Sequence, residues 1–300
     1  MKIIHSIKSA ALRTMNLWKG GLIIWLSSFL LVSMLAMPIK GALNSGFGKS
    51  MITEKLAEGL NFEVLVDMGA AFRSIMSFFS AGLLMAILVG FILNAFFTGG
   101  VFDSLKGSSG KFSAGEFFRA SAKNFWSFLV ISIIISLIII IIGILTIILP
   151  LSIVSQSDKS PEGALFKTGL IVISIFFLLL TILLLVADYA RAWQVSKERN
   201  VCFKAIGFGF SQTFKTFLSS FPLMIILLVV QLTFGWLVLK ILPGMRPATG
   251  GGVFLLFLLS QILFFLKIML RIWRYGSVTS LMEIKSLKEN PAEISSGSDF

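Results

Sequence analysis

Residues Phe125–Leu149 read FWSFLVISIIISLIIIIIGILTIIL, 25 residues without a charged side chain, followed by Pro150. At about 1.5 Å per residue, a helix of that length runs roughly 37 Å, more than the ~30 Å hydrocarbon core of a bilayer. Its isoleucine richness does not argue for a strand, because a lone strand leaves its backbone groups unpaired in lipid. The segment therefore reads as a membrane-spanning helix, with Pro150 expected to end it.

Five further apolar segments fit the same description, which makes the chain an all-α, polytopic bundle of six transmembrane helices. The expected spans are 21–37, 74–98, 125–149, 165–187, 221–242 and 251–273, within one membrane domain covering 1–288, and 289–300 is a polar tail. Pro38 is expected to end the first span and Pro243 to follow the fifth. In the second, Gly82, Ala86, Gly90 and Asn94 recur every fourth residue. Small residues at that spacing let another helix approach closely, so the stripe reads as a packing seam across which Asn94 finds a hydrogen-bond partner.

Composition agrees with a membrane chain. Of 300 residues, 56% are hydrophobic and 13% charged, against about 25% charged in soluble domains. The net charge of +12 sits in short segments beside apolar ones, which points to orientation and anionic lipid rather than nucleic acid. Cys202 and His5 are the only residues of their kinds. No internal disulfide, Cys-based metal site or Ser-His-Asp triad is expected from such a set, nor a cofactor. The first apolar segment follows a long polar lead without a clear A-x-A site, and reads as a retained anchor rather than a signal peptide. In the first loop, Met51, Ile52, Leu56 and Leu60 suggest a short amphipathic helix, and Glu63 with Asp67 reads as a solvated pair. Gly107–Gly110 reads as a turn, without the G-x-x-x-x-G-K-[ST] of a phosphate loop.

A basic amphipathic segment precedes a span three times. Ile4, Ile7, Ala11, Met15 and Trp18 share a helical face, and Phe203, Ile206, Phe210, Phe214 and Phe217 repeat that spacing. Between them Ser113-Ala-Gly-Glu116 is a capping box opening a helix with Phe117, Phe118 and Phe125. The second and third segments align at a shift of 92, and GSVTSL (276–281) echoes GVFDSL (100–105). The reading is three parallel two-span hairpins, each led by an interfacial helix. With six spans, 18 of the 26 Lys and Arg fall on the face holding both termini and 8 on the other, so both termini are expected in the cytoplasm.

GGVFDSLKG (Gly99–Gly107), then SAGEFF (Ser113–Phe118) and an aromatic-led span, resembles uncharacterised bacterial six-span membrane proteins. It is also similar to the membrane domain fused to some glycerophosphodiester phosphodiesterases. The resemblance implies a bacterial plasma membrane. It carries over no hydrolase activity, because these 300 residues hold no region for the metal-binding groups of such an enzyme. The expected function is a non-enzymatic partner-binding, assembly or envelope-maintenance component, with anionic lipids of the cytoplasmic leaflet and an envelope protein as partners. The alternative is a transporter or lipid-handling protein with a path between hairpins. Gln231 and Gln261 are its candidate mid-span polar groups, expected to face each other. Asp188, Arg191, Lys267, Arg271 and Arg274 are read as charges at the cytoplasmic boundary, with Asp188 and Arg191 as an i, i+3 ion pair.

Overall fold

The computed structural model describes residues 2–47, 69–106, 112–155, 163–197, 201–245 and 249–289. Met51–Leu60, Glu63, Asp67, the Gly107–Gly110 turn, most of the Val154–Gly163 loop and the tail beyond Glu289 lie outside them. Among the described residues all regular structure is helical. In chain order the elements are α1 (Lys2–Asn16), α2 (Trp18–Phe47), α3 (Gly69–Leu105), α4 (Ala114–Gly143), α5 (Leu149–Ser155), α6 (Ala164–Lys197), α7 (Cys202–Lys215), α8 (Phe217–Ile241) and α9 (Gly250–Glu289). A π-helical turn at Ile144–Ile148 joins α4 to α5, and a 3₁₀ turn at Leu242–Gly244 follows α8.

Five helical segments are long and apolar enough to cross a membrane: Phe79–Leu105, Ala114–Ser155, Ala164–Lys197, Phe217–Ile241 and Gly250–Ile284. A sixth arises when the bent pair Ile4–Asn16 and Trp18–Met34 is counted as one. The protein is thus an all-α, multi-pass membrane protein.

Two expected stops are not stops. The second helix runs through Pro38 to Phe47, and the span opening at Ala114 continues past Pro150 to Ser155. A proline removes one donor and crowds the carbonyl four residues back, but lipid offers the freed backbone no other partner, so the helix persists. Before Pro150 the helix widens, and the Leu149 N–H donates to the Ile144 carbonyl, five residues back. A π turn of this kind gives the ring room without breaking the span.

The chain forms two compact units, Ile23–Asn94 and the remainder. In the first, Trp25 stacks on Phe29 at 5.7 Å between ring centroids. A Cβ built on Gly90 would lie 3.9 Å from Leu31 Cδ2 of α2, an ordinary van der Waals contact. Gly82, Ala86, Gly90 and Asn94 are all half-buried, while Leu83, Leu84, Met85, Ile87 and Leu88 are exposed.

In the second unit the buried residues gather at one end of the helices, in a collar. It comprises Ala95–Leu105, Phe117–Ile135, Leu183–Val195, Ala205–Thr216, Leu223–Leu228, Ile268–Met282 and the inner face of α1. The opposite ends carry mostly exposed apolar side chains, such as Ile140, Ile141, Ile173, Leu239 and Leu255, the surface expected of helices solvated by lipid. In their described residues, the stretches 99–124 and 188–217 between the expected spans are mostly helices continued beyond the apolar segments. They persist because small residues allow close backbone approach. A Cβ on Gly209 would come 2.5 Å from the Val186 carbonyl oxygen, and one on Gly100 would strike Ser121 and the Phe117 carbonyl.

The three lead segments sit alike. Ser6, Ala10, Thr14 and Leu17 are buried on the first; Ala205, Gly209, Thr213 and Thr216 on the third; Phe117, Ser121 and Asn124 on the second. Each seats this face on the end of a span: α1 on α9, the start of α4 on α3, and α7 on α6. The outer faces present Ile4, Met15 and Trp18, then Phe118 and Trp126, then Phe203, Phe214 and Leu218.

Candidate functional site

Of the polar side chains that the collar buries, Arg191 and Arg274 meet Asp188, late in α6. Its neighbours Ala187, Ala190 and Ala192 are small and buried, which lets other helices close over the carboxylate. One turn on, Arg191 Nη1 lies 3.5 Å from Asp188 Oδ1, and its Nη2 donates to Ser132 Oγ on α4 at 2.9 Å. From α9, Arg274 Nε lies 3.2 Å from Asp188 Oδ2. The Arg274 guanidinium also covers the Tyr275 ring at 5.0 Å, and that ring meets Phe102 of α3 at 4.9 Å. Asp188 is wholly buried, and both arginines are buried with it. Burying a charge costs several kcal/mol after relaxation unless partners are supplied. Here one carboxylate answers two guanidinium groups, and four helices are tied at one point. A carboxylate held this way locks the helices that supply its partners to one another.

A second polar tie lies beside it. The Tyr189 hydroxyl and Thr216 Oγ1 are 3.2 Å apart, and Thr216 Oγ1 donates to Ser220 Oγ at 3.1 Å. A third joins the ends of the chain. Arg13 Nη1 donates to Glu283 Oε2 at 2.8 Å and to the Leu105 carbonyl at 3.0 Å, and Trp273 Nε1 donates to the Ile7 carbonyl at 3.0 Å. Sequence reasoning missed this tie, because its partners lie as many as 270 residues apart and leave no local signal.

The five expected boundary charges thus divide. Asp188, Arg191 and Arg274 form the lock. Arg271 lies one turn before Arg274 on α9, and with Lys267 it faces a cavity between α8 and α9 of about 350 Å³. The other walls are Gln231, Phe234, Gly235 and Val238 from α8, with Leu263 and Phe264 from α9. Gln231 Nε2 donates to the Leu270 carbonyl at 3.1 Å, whereas Gln261 Nε2 reaches the adjacent Ser260 Oγ at 3.5 Å. The two amides therefore serve different partners instead of facing each other.

Many other span hydroxyls turn back on their own helix: Ser27, Ser80, Thr146, Ser174 and Thr181 each donate to the carbonyl four residues earlier. Such back-bonding satisfies a hydroxyl in lipid without a second helix. Among the described residues no three of His, Cys, Asp and Glu come together as metal ligands. No family model matches the chain, and neither a curated protein nor a solved structure is significantly similar to it.

Proposed function

We propose that this is a non-enzymatic component of a bacterial plasma membrane, with both termini in the cytoplasm, that serves in assembly or envelope maintenance by presenting its collar to another membrane protein. The observation that carries the reading is how the buried polar groups are used. Asp188, Tyr189 and Gln231 each engage a neighbouring helix, and this builds a rigid support rather than a reacting centre. The charge balance of the collar suits the anionic leaflet, where each basic residue near the surface gains about 1 kcal/mol.

The three-hairpin repeat belongs to this proposal. At the shifts that align the lead segments, Ala10, Phe117 and Gly209 are equivalent, as are Thr14, Ser121 and Thr213, and all six are buried. Gly100 and Gly276 are likewise equivalent. A Cβ on Gly276 would lie 3.3 Å from Ala10, and Gly100 meets Phe117. Equivalent positions thus meet equivalent partners at two of the contacts between hairpins.

The test is photo-cross-linking from Phe203, Phe214 and Leu218 in living cells, followed by purification in mild detergent. A single envelope protein captured at all three positions, and lost on Leu218→Ser, is the expected result. Recovery of the chain cross-linked to lipid alone sinks the proposal. The cavity between α8 and α9 favours a second reading, lipid handling. Replacing both Gln231 and Gln261 by Leu separates the two. Normal protein level with loss of lipid movement supports the second reading, and a lowered protein level alone marks the amides as packing contacts.

A further inference from the structure

The cavity between α8 and α9 has a charged end and an apolar end. Lys267 and Arg271 are four residues apart on α9, and so share a face of that helix. From the start of α9 they lie roughly 26 and 32 Å along the axis, on either side of the ~30 Å where hydrocarbon gives way to headgroups. From that end the cavity runs toward mid-membrane past Phe234, Val238, Leu263 and Phe264. Two buried cations nearby, Arg191 and Arg274, flank Asp188. Lys267 and Arg271 place two positive charges at one end of the cavity. Like charges four residues apart on a helix also repel.

We propose that this cavity holds one anionic phospholipid, its phosphate between Lys267 and Arg271 and the upper part of one acyl chain along Phe234, Gly235, Val238 and Leu263. Three features suit that occupant together. Basic recesses between transmembrane helices are where anionic headgroups seat. A volume of about 350 Å³ is at the small end for ligand sites, enough for a headgroup and the start of a chain while the remainder stays in the bilayer. The side chain of Gly235 is missing where the chain would run, and a Cβ there would have no heavy atom within 4 Å. This inference deepens the lipid-handling reading without requiring transport, since a lipid that seats and stays satisfies it.

The test reconstitutes the full chain into vesicles of equal phosphatidylglycerol and phosphatidylcholine, extracts it in mild detergent, and weighs the retained lipid by native mass spectrometry. Retention of one phosphatidylglycerol in preference to phosphatidylcholine is expected. The preference should fall about thirtyfold in the Lys267→Ala/Arg271→Ala variant, and about fivefold in Lys267→Gln alone. Gly235→Trp fills the cavity and should abolish retention with an unchanged thermal midpoint. Should the double variant fail to fold, Lys267→Gln and Gly235→Trp decide. Equal retention of both lipids, retention unaffected by these changes, or displacement of the lipid by millimolar inorganic phosphate each overturns the proposal. The cross-linking result does not depend on any of these outcomes, so either reading can fail alone.

Discussion

Asp188 illustrates how much one side chain decides here. Removing its charge leaves Arg191 and Arg274 buried without their anion, and breaking a buried pair from one side costs about 3–5 kcal/mol. Asp188→Asn should therefore lower the thermal midpoint in detergent sharply. The triple change Asp188→Asn/Arg191→Gln/Arg274→Gln, which removes every charge of the lock, should cost less than the single one. Tryptophan fluorescence on heating measures both, and a triple variant worse than the single one would show that the charges are not the source of the effect. Glycines make a second comparison within α7. Gly209→Ala drives a methyl into the Val186 carbonyl, while Gly207→Ala meets open space. The first should destabilise by about 1–3 kcal/mol, and the second should stabilise by roughly 0.5–1 kcal/mol through helix propensity.

At the scale of the element, α1 is the clearest departure from a helix that simply floats in the interface. Its large apolar residues Ile4, Leu12 and Met15 face outward, and its small face, with Ser6, Ala10 and Thr14, is the buried one. Two contributions hold it, and they differ in size. The Arg13–Glu283 pair is partly exposed, so a double-mutant cycle with alanine should return a coupling of only about 0.5 kcal/mol. The close approach of Ala10 to Gly276 matters more. Ala10→Leu should unseat the helix and open Lys8 and Arg13 to trypsin in detergent micelles, whereas Arg13→Ala should leave Lys8 protected. Equal cleavage at Lys8 in the two variants would invert that ranking. The turn at Ile144–Ile148 shows the same principle inside a span, where a local change of pitch absorbs a proline that the sequence alone suggests is a terminus.

For the whole molecule, the proposed orientation rests on the distribution of basic residues and is open to a direct check. Cys202 opens α7 on the collar side and is partly exposed. A membrane-impermeant maleimide should modify it only after the cells are permeabilised, and labelling of intact cells would reverse the assignment. Five of the six expected spans, their approximate places, the amphipathic leads and the Ser113 cap were legible in the chain, because they follow from two local quantities. One is hydropathy over about 20 residues, and the other is the 3.6-residue period. Boundary charges could be picked out for the same reason, since an ionisable side chain in an apolar run is rare. Which of them would meet was not legible. Asp188 pairs with Arg274 as well as Arg191, Arg13 finds Glu283, and Gln231 turns to the Leu270 carbonyl rather than to Gln261. Local sequence dictates that a backbone must be helical in lipid, because its hydrogen bonds close within a few residues. The partners of its polar side chains are chosen by which helices lie side by side, and only the tertiary structure decides that.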